Sequence, residues 1–393
     1  MREFYFPDYD GGSTINLMSS IAKAFGGNTG HKELKILKSD ELKSGNVVLF
    51  LIDGFGYEFL KKFGKDTIFE RNLRGKMTTV FPSSTSAAIT AINTGLTPQE
   101  HGMTGWHMHL KELGTQIIPL PFIYRLNRSS LSEAYDIKKL FRLRPFYNLI
   151  RKGKAYNVMP EAIAGSDFTL AISGKSKRLS YGSLDDCLRK VKKIAKLNGK
   201  RKFIFVYYPI HDDMSHDLGV HSKQVKKHFN NLAKKFEAFS DSLKKFNTKI
   251  IVAADHGEVD IKDPIYLDDH PKLRDMLVMP LCGEIRFAYA YVKSGKSKDF
   301  EKYVRTKFKK YCKLYKSEEL IKKGVFGKFK IHDRFRDRIG DYVLIARRNY
   351  GIIDKLANNK DRKRHNVSNH GGLTKEELFV PLIFIDSGNS LAF

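Results

Sequence analysis

Short apolar runs alternate with segments of helical periodicity along most of this chain. Asn46–Ile52 (NVVLFLI) predicts a strand buried on both faces. Lys76–Phe81, Lys154–Met159, Phe203–Tyr208 and Lys249–Ala254 add four more. Pro7 to Gly12 reads as a turn, after which Ser13 or Thr14 can cap a helix running to about Phe25. Ser84–Asn93 predicts a helix ended by Gly95, and Ser183–Leu197 another. In Val225–Phe246, apolar side chains at 225, 229, 232, 236, 239, 243 and 246 recur every three or four positions, as on the core face of a helix. Strands separated by helices imply an α/β fold with a mostly parallel sheet covered on both sides.

Residues 273–345 follow another pattern. Ile285–Val292 alternates like a half-exposed strand. A basic helix is expected over Lys298–Tyr315, then elements at Gly327–His332 and Asp341–Ala346. This segment predicts a small α+β insertion, a candidate cap or substrate subdomain, within a core made of 1–272 and 346–393. The chain re-enters the main sheet at Phe379–Ile385.

Composition narrows the function classes. Of 393 residues, 41% are hydrophobic, too many for a disordered chain. The longest apolar runs are six residues, against about 20 for a membrane span. The first residues show no apolar h-region. The cysteines (Cys187, Cys282 and Cys312) are too few and too scattered for a disulfide framework or a cysteine zinc site, so a reducing cytoplasm is expected. The net charge of +27 suits nucleic acid, an anionic surface or a phosphorylated substrate. Its densest clusters are Arg189–Lys202, Lys307–Lys316 and Lys360–Arg364. Solvated helix faces are the commoner explanation of such runs.

Candidate chemistry gathers at strand ends. Asp53 follows VVLFLI, Asp255 and His256 follow IIVAA, and Asp212 and His216 follow FIFVYY within a few residues. His370 precedes the last expected strand. In open α/β sheets ligands bind beyond the carboxyl ends of strands, so these groups are expected to converge. Carboxylates with neutral imidazoles form a donor mix for zinc, manganese or iron. Asp212 and His216, four apart, share a helix face. Ser83, Ser84 and Thr85 sit where a helix begins, so each is a candidate cap. On position alone Ser84, Thr85 or Ser86 is also a candidate nucleophile.

Five stretches resemble the alkaline phosphatase superfamily, most closely its type I phosphodiesterase/nucleotide pyrophosphatase branch. They are VVLFLIDGFG (47–56), TTVFPSSTSAAITAINTGLTPQEHGMTGW (78–106), YYPIHDDMSHDLG (207–219), IIVAADHGEVD (250–260) and SNHGGLTKEELFVPLIF (368–384). The resemblance implies a three-layer α/β/α core and two divalent metal ions, zinc first and manganese or iron as alternatives. One ion would be held by Asp53, Thr85, Asp255 and His256, the other by Asp212, His216 and His370. It selects Asp212 over Asp213 and Thr85 over the flanking serines. It further implies in-line attack by Thr85 on a small anionic phosphoester, for which a nucleotide is a candidate, through a phospho-threonine intermediate.

One departure stands out. The family's phosphate-contacting Asn is replaced by what aligns as Trp106. Phosphomonoesterase or phosphotransferase activity is the alternative within the superfamily. A basic nucleic-acid-binding protein with an inactive core is the alternative outside it. Arg334, Arg336 and Arg338 are candidates for a phosphate or sugar, or for plain surface.

Overall fold

The computed structural model describes residues 3–354 and 366–387. Seven strands make the central sheet: β1 (Asn46–Ile52), β2 (Leu73–Thr78), β3 (Lys154–Pro160), β4 (Lys177–Tyr181), β5 (Lys202–Tyr208), β6 (Thr248–Ala253) and β7 (Phe379–Asp386). Their spatial order is β2-β7-β6-β1-β5-β3-β4. Neighbours from β6 to β4 are parallel, while β7 runs antiparallel to both β6 and β2. Every residue of β1, β5 and β6 is buried, which requires cover on both faces of the sheet centre. The register pairs Ile52 with Tyr208 and Leu51 with both Tyr207 and Ala253. The carboxyl ends of β1, β5 and β6 are therefore level, and the residues that follow them enter the same space.

The longer helices of this core include α1 (Thr14–Ala24), α2 (Thr85–Thr94), α3 (Leu184–Lys196), α4 (Ile210–Leu218) and α5 (Lys223–Leu243), of which α2 and α4 carry site residues. In α5, Val225, Phe229, Leu232, Phe236, Phe239 and Leu243 are all buried, and the Ser222 hydroxyl caps the Val225 N–H. Gly95 takes the left-handed conformation that ends α2.

Within 273–345, strands Cys282–Glu284, Phe287–Ala290, Cys312–Lys316 and Tyr342–Ala346 form an antiparallel sheet with α6 (Ser297–Lys307). Alternation divides its two faces. Ala288, Ala290, Leu314 and Leu344 pack with Phe300, Val304 and Phe308 of the α6 segment. Phe287, Tyr289, Val343 and Ile345 pack with Phe81, Leu373 and Leu378. This small sheet is thus fastened to the loops that precede α2 and follow His370.

Several expected elements differ. The basic helix ends at Lys307, because the chain beyond it becomes a strand whose Cys312 and Leu314 pack on the α6 side while Tyr315 packs on the opposite face. The second strand spans Leu73–Thr78 instead of Lys76–Phe81. Arg74 and Lys76 are exposed, so its first residues lack a continuous apolar signal. Gly327–His332 forms no regular element; Gln99 holds it through the Phe329 carbonyl and the His332 N–H, both at 2.6 Å. The Lys360–Arg364 cluster lies outside the described residues. Among those described, no helix is long and apolar enough to cross a membrane.

Candidate active site

Asp53 leaves the end of β1, Asp255 and His256 leave β6, and Thr85 opens α2. His256 Nε2 lies 3.3 Å from Asp53 Oδ1, 3.3 Å from Asp255 Oδ2 and 3.1 Å from Thr85 Oγ1. Asp212 and His216 lie on one face of α4, with Nε2 to Oδ2 at 3.2 Å. His370 Nε2 is 4.0 Å from Asp212 Oδ1. The His256 and His370 rings stack with centroids 3.7 Å apart, so the two groups share a wall. Each of the trios Asp53/Asp255/His256 and Asp212/His216/His370 can bring one donor atom from every member within 4.8 Å of the others.

The donor chemistry fits two divalent cations. Asp53 Oδ1, Asp255 Oδ2 and Asp212 Oδ1 are buried carboxylate oxygens without a hydrogen-bond donor among the described residues. Such atoms are costly unless a cation or donor meets them. Burial, then the charges of Asp255 and Asp212, pushes the Asp53 carboxyl well above the usual range; burial also raises Asp255. Burial opposes ionisation of Asp212 too, but His216 outweighs it and holds this carboxyl low. His216 is correspondingly raised to about 9 against its own burial. Cations would relieve the crowding of these carboxylates.

Outer partners orient the donors. The Tyr207 hydroxyl donates to Asp53 Oδ2, and Asp255 Oδ1 accepts the His256 N–H at 3.0 Å. His216 Nδ1 meets the Ser368 carbonyl at 2.8 Å, which leaves Nε2 for the site. Gly54, at φ +70°, follows Asp53 because a Cβ there would meet Glu258 Oε1 at 2.4 Å. Asp213, the neighbour of Asp212, is exposed, and the His211 ring is buried 4.7 Å from that of Phe59.

Sequence reasoning missed Glu284. This carboxylate ends the strand Cys282–Glu284 and reaches the head of α2. It accepts from the Ser84 hydroxyl and, at 3.1 Å, from the Trp106 N–H, and its other oxygen is 3.3 Å from His370 Nδ1. Burial raises its pKa to about 8. Ser84 occupies the N-cap position of α2, but its hydroxyl serves Glu284 instead of the helix. Glu258 was also missed, although it stands beside Asp255 and His256; it is buried and accepts from the Ser368 hydroxyl. No periodicity marks either residue, and only their strand-end or hairpin neighbours hint at them.

The other candidates separate. Arg338 is fully buried, donates to the Gly102 carbonyl and to Glu112 Oε1, and lies over the Phe141 ring. Arg336 pairs with Glu318 at 2.7 Å and Arg334 lies 3.9 Å from Asp337, so the three arginines serve structure and surface. His101 is buried, its Nδ1 accepting from the Met103 N–H, while His109 meets the edge of Tyr291. Trp106 and His107 line the cleft of about 1190 Å³ that also contains Asp53, Thr85, Asp212, His216 and His370.

The model of the family "Type I phosphodiesterase / nucleotide pyrophosphatase" matches residues 47–373. No curated protein matches the chain. Among solved structures, murine ectonucleotide pyrophosphatase/phosphodiesterase 5 is similar with a TM-score of 0.65 and 20% identity over 86% of this chain and 87% of that one. An inactive form of that murine protein is in complex with AMP. Phosphonoacetate hydrolase from Sinorhizobium meliloti 1021 gives a TM-score of 0.63 and 16% identity over 88% and 91%. The strand-end donors, the threonine at the head of α2 and the match over most of the length thus lead to one assignment: the chain belongs to the type I phosphodiesterase/nucleotide pyrophosphatase family of the alkaline phosphatase superfamily, a family of phosphoester hydrolases.

Proposed function

We propose that this protein is a two-metal phosphodiesterase or nucleotide pyrophosphatase in which Thr85 is the nucleophile. The observation that carries the reading is Thr85 Oγ1 at the head of a ten-residue helix, 3.1 Å from the imidazole that joins Asp53 and Asp255. Bound divalent ions would offset phosphoryl charge and lower the pKa of a coordinated hydroxyl. Asp53, Asp255, His256 and Thr85 would hold one ion; Asp212, His216 and His370 would hold the other. Thr85 would attack phosphorus in line, its Oγ forming the new P–O bond as the ester oxygen leaves. Water would then cleave the phospho-threonine, giving two inversions and net retention at phosphorus. The α2 N-terminus directs backbone N–H groups toward the phosphoryl oxygens. Glu284 fixes Ser84 and the Trp106 backbone beside this centre.

Zinc suits the nitrogen-oxygen donor set, with manganese or iron as alternatives. The AMP complex of the murine neighbour supports a nucleotide-type substrate. A parallel assay with bis(p-nitrophenyl) phosphate, p-nitrophenyl phosphate and a dinucleoside polyphosphate, with and without chelator, tests the reading. Preferential, chelator-sensitive cleavage of the diester or polyphosphate is expected. Preference for the monoester would replace it with a phosphomonoesterase. Absence of metal after reconstitution would favour a basic binding protein.

A further inference from the structure

Arg125 and Arg128 line the cleft that contains Thr85, and the proposed phosphoryl chemistry uses neither. Arg125 is only 8% exposed. Its Nη1 donates to Gln116 Oε1 and the Leu281 carbonyl, both at 2.6 Å, and its Nη2 to the Asp354 carbonyl at 2.9 Å. All three acceptors are neutral. The nearby Asp354 carboxylate is already occupied by Arg274 Nη2 at 2.6 Å and by the Leu281 N–H at 2.7 Å. A guanidinium has five N–H donors. One on Nε and one on Nη2 have no acceptor among the described residues.

Arg128 is exposed and has φ +62°, a backbone conformation that favours glycine or asparagine. Both charges reach His107 on the same wall, whose imidazole is held well below its usual range by burial, then by Arg125, then by Arg128.

The insertion connects this cationic end to the chemistry. Leu281 accepts from Arg125, and Glu284, three residues on, meets Ser84 and His370. Three residues span at most about 10 Å. Between them, Gly283 pairs with His107 through both of its backbone groups, at 2.7 and 3.1 Å. Leu120, Leu126, Met159 and Ile163 supply apolar wall in the same cleft.

We infer that Arg125 and Arg128 form a subsite for a second anionic group of the substrate, placed a short apolar or neutral spacer away from the scissile phosphorus. The substrate class narrows to phosphoesters carrying a distal phosphate or carboxylate. The inference rests on the phosphodiesterase reading for where the first phosphate sits.

Binding to metal-loaded Thr85→Ala protein tests it by calorimetry, without turnover. The probes are hexyl phosphate, butanediol and hexanediol bisphosphates, and the hexanoate analogue with a terminal phosphate. At least one doubly anionic probe is expected to bind about tenfold or more tighter than hexyl phosphate, as charge-assisted bonds to a guanidinium imply. The bisphosphate and carboxylate arms decide which distal group is preferred. Arg128→Ala on the same background should reduce the advantage to within about twofold, and Arg125→Lys should weaken it by removing the planar fork. Lys298→Ala, on the exposed surface, should leave it intact. Equal affinity for all probes, or an advantage untouched by Arg128→Ala, overturns the subsite alone. No binding by any probe overturns the subsite, while the diester assay decides the phosphodiesterase reading separately. An Arg128-dependent advantage in a protein that cleaves no diester keeps the subsite and discards the phosphodiesterase.

Discussion

Ser84 and Thr85 are adjacent hydroxyls at the head of one helix, and their partners give them different tasks. Thr85 faces His256, while Ser84 serves Glu284. Thr85→Ser should therefore keep turnover within about tenfold, because a primary hydroxyl can occupy the same place. Ser84→Ala should lower kcat/KM only modestly, since Glu284 retains the Trp106 N–H. Steady-state kinetics on the diester check both. Inactivity of Thr85→Ser together with full activity of Ser84→Ala would show that more than the hydroxyl is needed at 85. Asp53, Asp212, His216, Asp255 and His256 were legible because each follows an apolar strand in a quoted motif, and His370 because its motif leads into the last one. Glu284 was not, because its role depends on a hairpin folding against α2 from two hundred residues away. The three serine and threonine candidates could be ranked only by resemblance, since a capping hydroxyl and a nucleophile look alike in sequence.

The hairpin that carries Glu284 also carries Arg286, whose fully buried guanidinium makes two 2.9 Å bonds to the Glu377 carboxylate. Glu377 in turn accepts the Gly372 N–H at 2.8 Å and the Thr374 hydroxyl at 2.7 Å, fixing the loop just after His370. The Glu284 hairpin and the His370 loop are thus joined by a buried ion pair. Arg286→Ala should cost about 3–5 kcal/mol, because it leaves Glu377 buried and unpaired. It should also weaken metal retention through His370. Chemical denaturation and metal titration would check the two effects, and an unchanged unfolding midpoint would contradict this part of the account. At this scale the buried parallel strands were readable from their apolar runs, and α5 from its aromatic stripe. The half-exposed β2 and β4 were not, and the strand at Cys312–Lys316 was concealed by lysines that continue the charge pattern of α6.

Across the whole molecule, the +27 charge is divided among different tasks. In the Arg189–Lys202 run, Arg201 donates to the carbonyls of Ala24, Leu42, Lys43 and Gly45, which is structural work, whereas Lys192 and Lys200 are exposed or half-exposed. The remaining excess should steer anionic substrates, so kcat/KM should fall as salt rises from low to moderate ionic strength. A flat profile would assign the surface lysines to solubility. Buried and half-buried histidines set the acid limit. Burial lowers His101 and His211 to about 3 and His332 to about 4, so the fold keeps them neutral where the unfolded chain protonates. The unfolded state then binds more protons, and stability present above about pH 6.5 is lost as pH falls toward 3–4. Thermal melts should show this decline, and His211→Leu should flatten it, since neither His211 ring nitrogen has a hydrogen-bond partner among the described residues. The central claim joins the donors, the helix and the threonine into one centre. Its most direct test is diester turnover by Thr85→Ala beside the wild type, with metal content measured in both. A loss of roughly a thousandfold or more with near two metals per chain retained is predicted; turnover close to wild type would contradict it.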